Sequence, residues 1–570
     1  MIRKRNLFIA ASLLWTCHAG ANEVPEIAYT LRPMASGSGP ASLQVSLRLS
    51  GIAADPGRAL LELPRVSWNV PTVAEALQDL QATDAAGALT LSARDTGTAP
   101  AIMRQWFASR AVSGSVSLSY TITPGRADAP RGAAPPVDLR ADAAALSGGA
   151  AVMLLRPVAA RAHVTLAWDL SALPPGAVAA ASPLPGGGDT EISALEQVYF
   201  MAGALHTLPA VPPAKGFYAA WQGEPPFDAR ALMQWTGELY GRYEKFFGTE
   251  PAPYIVFMRH NPVNAGGGMG MNRSFIITYG ANGGNDPQPL KFTLAHEMFH
   301  TFQPRMSAPE EQGGELAASW FNEGLAVFYE HTLPLRYGLI DAQAFLGDVN
   351  YYAARYYTNL LGNVPNAEVP ARFWADTRIR TLPYDRGFLY FVTVDEAMRR
   401  ASHGRRNLDE LMLAMKALER TAGRPLVERD WSDLLRRELG SASVQAFERH
   451  LAGDSPLPES DAFGPCFRRI SKPLRRYQLG FEPAVLTESP RIVRGLVEHS
   501  AAESAGLRNG DEILRPVPQD HTQGDQHEQI HLFVRRGGAD LEIVYLPRGE
   551  TVPAWQWERV PGRAPAGCGR

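Results

Sequence analysis

Residues 296–300 read His-Glu-Met-Phe-His and residues 320–324 read Trp-Phe-Asn-Glu-Gly, placing Glu323 twenty-three positions after the second histidine. His296 and His300, four residues apart, project from one face of a helix, as two imidazoles must to share a tetrahedral metal. Glu323, on a second helix, completes a two-histidine, one-carboxylate set whose fourth position stays open to water or substrate. Glu297 lies beside the histidines at that open edge, where a carboxylate takes a proton from a metal-bound water. The chemistry implied is metal-assisted hydrolysis of an amide, on a domain in which helices carry the site.

Two imidazoles and one carboxylate suit a single zinc ion, while cobalt or manganese would fit the same donors. Glu330, seven residues past Glu323, falls on the same helical face; it either orients a ligating histidine or is an exposed carboxylate. His260 and His331 have no ligand spacing. The run Gly266-Gly267-Gly268-Met269-Gly270 lacks the Lys-Ser/Thr of a phosphate loop and precedes a strand rather than a helix. It is read as the approach to a substrate-binding cleft edge, the strand Ser274 to Tyr279, with Gly267, Gly268, Met269 and Gly270 as substrate-binding candidates. A surface loop is the other reading.

Working outward, residues 22–212 have period two. Leu43, Val45, Leu47 and Leu49 alternate with polar neighbours, as do Val116, Leu118, Tyr120 and Ile122, and Val164, Leu166, Trp168 and Leu170. The expectation is an all-β, sandwich-like N-terminal domain. Residues 213–460 turn helical: Leu232, Trp235, Leu239, Tyr243 and Phe246 form one stripe that Gly248 stops. A strand is expected over Tyr254 to Met258. The metal-site helix should start at Asp286 as N-cap with Pro287 first, and run to Pro304. Further helices are expected over Leu316–His331, Tyr384–Arg399 and Leu408–Leu418. Residues 466–555 return to β, with a strand opening at Tyr477–Phe481, another over Ile492–Val497, a short helix over Ala501–Leu507, a turn at Asn509–Leu514 into a third strand, and two more strands over Leu532–Arg535 and Leu541–Leu546.

Ser319-Trp320-Phe321-Asn322-Glu323-Gly324-Leu325-Ala326 resembles the third-ligand segment of aminopeptidase N-type gluzincin metallopeptidases. Pro383-Tyr384-Asp385-Arg386-Gly387-Phe388-Leu389 resembles the helix that supplies their catalytic tyrosine, so the resemblance implies that Tyr384 stabilises the oxyanion. In overall architecture the chain resembles the glycyl aminopeptidase-like family: an N-terminal β-domain, an α+β, mainly helical thermolysin-like catalytic domain and a C-terminal PDZ domain. Leu479-Gly480-Phe481 resembles the PDZ carboxylate-binding loop, and Ser504 to Leu514 the segment after its short helix, implying capture of a peptide C-terminal tail by strand addition. One position departs from the pattern. The amine-holding acid of Gly-x-Met-Glu-Asn strands has no counterpart in Gly268-Met269-Gly270-Met271-Asn272, so Glu310, Glu311 or Glu315 serves instead, or cleavage is internal.

At 570 residues the chain exceeds one hydrophobic core. A net charge of -3 without a long basic block gives no footprint for nucleic acid. Arg3, Lys4 and Arg5, an apolar run from Leu7 to Cys17 and Ala19-Gly20-Ala21 read as a cleavable signal peptide over residues 1–21. No later segment supplies the roughly 20 apolar residues of a membrane helix. The protein is expected to be exported, periplasmic or secreted. There Cys466 and Cys568 either pair, closing a loop of about a hundred residues, or stay free. The overall expectation is an exported zinc peptidase acting on peptides or proteins, probed against two rivals: an inert peptide-binding scaffold, and a hydrolase of a non-peptide ester or epoxide.

Overall fold

The computed structural model describes residues 24–562 apart from 38, 53, 69, 99–100, 126–135, 262–266, 281–284 and 518. The expected signal peptide (residues 1–21), with Cys17, lies outside these residues, as do Gly266 and Cys568.

The period-two segments become strands. β1 (Glu26–Ser36), β2 (Gly39–Ser50), β3 (Val116–Ile122) and β4 (Arg161–Trp168) are neighbours in a seven-stranded sheet. β2 pairs antiparallel with β1 and β3, and β4 runs parallel to β1. Leu43, Val45, Leu47 and Leu49 point into the core beside Val116, Leu118, Tyr120 and Ile122. Leu170 falls just beyond β4. Two four-stranded sheets and a two-stranded one (Val66–Ser67 with Val70–Pro71) belong to the same β-rich region.

A five-stranded sheet follows, built from β5 (Leu205–Leu208), β6 (Gly216–Gln222), β7 (Pro253–His260), β8 (Gly268–Met271) and β9 (Ser274–Tyr279) in the order β5-β6-β7-β9-β8. Its two faces belong to different cores. Tyr254, Val256 and Met258 of β7 pack against the helices, whereas Ile255 and Phe257 between them pack against the N-terminal sheets. A strand covered on both faces is apolar throughout, which is why β7 and β9 show no alternation in sequence. Ser274–Tyr279 is therefore not the cleft edge expected of it: β9 is interior, paired on both sides, and β8 is the edge strand.

The longer helices are α1 (Ala229–Phe247), α2 (Gln288–Phe302), α3 (Ser319–Arg336), α4 (Ala342–Tyr357), α5 (Leu382–Ala401), α6 (Leu408–Ala422), α7 (Glu428–Leu439) and α8 (Ser441–Leu451). α1 ends at Gly248 in the left-handed conformation, as the glycine stop requires. α2 begins two residues beyond Asp286, whose Oδ1 accepts from the Gln288 N–H at 2.9 Å, and Pro287 takes the cap position. The expected Leu316–His331 helix is split: a turn at Gly314–Ala317 precedes α3.

In the last region, β11 (Ile530–Arg536) and β12 (Ala539–Tyr545) line a small core that Tyr477 at the end of β10 (Phe467–Tyr477) joins, while Phe467 of β10 and Trp557 of β13 (Arg548–Arg559) are buried in the helical core; the short helix α9 (Asp520–Gly524) lies between these strands in sequence. β10 pairs with β13, and β11–β12 is a hairpin around Gly537-Gly538. Two expected strands fail. β10 ends where Tyr477–Phe481 was to begin, because Gly480 takes φ +88° and turns the chain over Ala502. Ile492–Val497 is interrupted by Gly495 at φ +61°, leaving a single bridge from Ile492 to Glu512. Cys466 is disulfide-bonded, and both other cysteines lie outside the described residues. Among the described residues no helix is long and apolar enough to cross a membrane.

Candidate metal centre

α2 presents His296 and His300 one turn apart, and α3 crosses it to bring Glu323 opposite. The His296 and His300 Nε2 atoms stand 3.0 Å apart, and the Glu323 Oε2 atom lies 3.1 Å from the first and 3.3 Å from the second. A tetrahedral ion with bonds of about 2.0–2.1 Å holds its ligand atoms about 3.3 Å apart, so these three donors form one face of such a tetrahedron. The donor set and its spacing fit a single zinc ion.

Both imidazoles are held from behind. The Nδ1 of His296 meets the Glu330 carboxylate at 2.6 Å, and Glu330 is 1% exposed. Of its two sequence readings, the exposed carboxylate is excluded, and Glu330 holds the His296 ring. The Nδ1 of His300 meets the Gln303 side-chain amide at 2.8 Å. The atom placed there is the amide Nε2, and the buried Gln303 Oε1 has no partner among the described residues; with a metal at the His300 Nε2 the imidazole proton would sit on Nδ1, and the flipped amide would accept it. Gln303 was not picked out from sequence, although its spacing of three from His300 places both on one helical face.

Burial pushes the Glu323 carboxyl up, but the His300 and His296 imidazoles outweigh it and hold the group well below the usual carboxylate range. Burial opposes a charge on His296, yet Glu323 and Glu330 raise it well above the ordinary histidine value. Glu297, on α2 beside the ligands, is raised mainly by burial, with His296 and His300 pulling the other way. The Tyr384 ring, from the first turn of α5, stacks on His296 with centroids 6.0 Å apart. Burial and then the Glu323 and Glu297 charges push its hydroxyl well above its ordinary value, so it stays a proton donor.

β8 closes the other side. Met269 and Met271 are buried in the N-terminal core, and Gly268 and Gly270 turn the opposite, exposed face outward. A Cβ on Gly270 would lie 3.3 Å from the Glu297 Oε2 atom, so the glycine strand runs directly past the carboxylate. Gly267 continues it, its carbonyl accepting from the Thr278 N–H at 2.9 Å. Glu310, Glu311 and Glu315 are exposed, and Glu315 pairs with Arg305 at 2.5 Å. In the last region the Gly480 carbonyl accepts from the Val497 N–H at 2.7 Å, and the Glu482 N–H donates to the Arg494 main-chain carbonyl at 3.1 Å. Leu479 and Phe481 point into that region's own core.

Two glycines explain how the ligand helix and the tyrosine helix come together. A Cβ on Gly324 would stand 2.5 Å from the Gly387 carbonyl carbon, and one on Gly387 would stand 2.5 Å from the Trp320 oxygen. α3 and α5 therefore touch backbone to backbone, which brings Glu323 and Tyr384 to one site.

No family model matches the chain, and no curated protein matches it. Among solved structures it is similar to an aminopeptidase N family protein from Idiomarina loihiensis, at 14% identity and a TM-score of 0.61, over 92% of this chain and 97% of that one. An M1 zinc metallopeptidase from Deinococcus radiodurans is 18% identical with a TM-score of 0.40, over 76% of this chain and 94% of the other. Native yeast LTA4 hydrolase is 13% identical with a TM-score of 0.39, over 76% and 68%. The chain shares over nearly its whole length the fold of the Idiomarina protein: a β-rich N-terminal region followed by a helical one.

Proposed function

We propose that this protein is an exported zinc-dependent peptidase. The observation that carries the reading is the triangle of His296, His300 and Glu323 with Glu297 at its rim. Bound there, zinc supplies a Lewis acid that polarises the scissile carbonyl and acidifies a water. Glu297, its carboxyl raised by burial, takes the water's proton and passes it to the leaving amine. Tyr384 keeps its proton and donates a hydrogen bond to the oxyanion that forms on the carbonyl. Edge strand β8 pairs with the substrate main chain, and its glycines leave room for that chain beside Glu297.

The substrate is a peptide or protein, processed in the manner of an aminopeptidase. The C-terminal region serves as a PDZ domain in which Leu479-Gly480-Phe481 receives a peptide tail. No nucleic acid takes part. The test is cleavage of a mixed synthetic peptide library by the mature protein, read by mass spectrometry, against Glu297→Gln with zinc content measured in both. Loss of single N-terminal residues by wild type alone supports the reading. Internal cuts make it an endopeptidase, and no cleavage by zinc-loaded wild type favours the binding scaffold.

A further inference from the structure

We propose that Arg355, clamped by α9, is a positioning residue for Tyr384, which makes the C-terminal region a working part of the hydrolytic site. This rests on the role given to Tyr384 above. Arg355 on α4 is almost fully buried between two regions of the chain. Its Nε donates to both oxygens of Asp385 at 2.9 and 3.0 Å, and a terminal nitrogen donates to one of them at 2.6 Å. Asp385 is wholly buried and adjoins Tyr384 in the first turn of α5. A forked guanidinium–carboxylate pair fixes angle as well as distance, so it sets the rotation of the turn that carries the tyrosine.

The other terminal nitrogen of Arg355 reaches the C-terminal region. It donates to the Tyr351 hydroxyl at 3.2 Å and to the Asp520 main-chain oxygen at 3.3 Å, and Tyr351 donates to the same oxygen at 3.0 Å. The Asp520 side chain is anchored to Thr377 and to Arg380, the latter at 2.6 Å. From behind, Arg548 of β13 donates to the carbonyls of Thr522, Gln523 and Asp525. α9 is thus pinned on both sides, and Gly524 sits so close to Tyr351 that a Cβ would stand 2.2 Å from the ring carbon Cε2. A displacement of about 1 Å in a group with the role given to Tyr384 costs on the order of 100-fold in rate.

Full-length Gly524→Val, which pushes α9 off Tyr351 without touching α5, tests the proposal. Amide exchange over residues 382–390 should speed up. With the best-cleaved library peptide, kcat should fall about 10- to 100-fold while KM and zinc content hold. Arg355→Lys, which keeps the charge and loses the fork, should act in the same direction. In a Tyr384→Phe background neither substitution should cost anything further. Unchanged exchange, or a loss that adds to that of Tyr384→Phe, overturns the coupling and leaves the tyrosine's role standing. A Tyr384→Phe protein with wild-type kcat overturns the tyrosine's role and this proposal with it.

Discussion

Glu330 shows how one buried carboxylate serves two histidines. One oxygen holds His296 at 2.6 Å, and the other lies 3.7 Å from the Nε2 atom of His331. The His331 ring faces acceptors at both nitrogens, the Val327 carbonyl and the Asp348 carboxylate, each at 2.6 Å, so it is an imidazolium. Replacing Glu330 by Gln keeps the shape but removes the charge behind His296. Zinc affinity, measured by chelator competition, should fall about 10- to 100-fold. Burial lowers the His331 value, but Asp348 and Glu330 raise it further, and the net folded value lies above the ordinary one. A raised histidine stabilises the fold fully below its unfolded value of about 6.5 and loses that contribution as pH climbs through the folded one. Urea unfolding of the zinc-loaded protein from pH 6 upward should therefore show a loss that His331→Gln lacks; parallel curves would show that His331 does not titrate in this range. The three candidate donors were legible as a group because their spacing is local to two helices. His331 and Gln303 were not, because their partners are set by packing between helices.

Helices α3 and α5 carry the site, and their contact is written in two motif glycines. Asn322-Glu323-Gly324 and Tyr384-Asp385-Arg386-Gly387 each place a glycine where the helices meet, Gly324 one residue and Gly387 three residues after the functional side chain. A methyl group at Gly387 must push the Trp320 carbonyl aside, and overpacking of this kind costs about 1–3 kcal/mol. Gly387→Ala should lower the urea midpoint accordingly and reduce kcat, even though alanine is the better helix former. An unchanged midpoint would show that the helices have slack. At this scale the helical stripes were readable from sequence, as α1 and α6 show. The C-terminal strands were less so, since Gly480 and Gly495 at positive φ break runs whose composition suits a strand. The edge role passed from β9 to β8 for a similar reason. Gly-Met-Gly-Met has too little side chain to announce a strand, while the apolar run after it looks like one whether central or at an edge.

At the scale of the molecule, the N-terminal β-region is half of the housing of the site sheet. Tyr218, Ile255, Phe257, Met269 and Ile276 leave the five-stranded sheet on the face away from the helices, and all are buried in the N-terminal core. The Phe257 ring lies 5.0 Å from that of Tyr199, and Ser274 exchanges a hydrogen bond with Ser182 at 2.8 Å. Met269 belongs to β8 itself, so the strand that passes Glu297 is held down by the N-terminal region. Exposing a large apolar side chain costs about 1.5–3 kcal/mol, so uncovering these five costs about 8–15 kcal/mol. That matches the whole net stability of an ordinary domain, about 5–15 kcal/mol. A chain starting at residue 213 should therefore fail to fold alone even though it contains every ligand and both proposed catalytic groups. Expressed separately, it should be insoluble or bind a hydrophobic dye, and co-expression with residues 22–212 should restore solubility and zinc binding together. A soluble, zinc-binding 213–570 fragment would mean that the sheet tolerates an open face. In that case β8 would owe its position beside Glu297 to the helices alone.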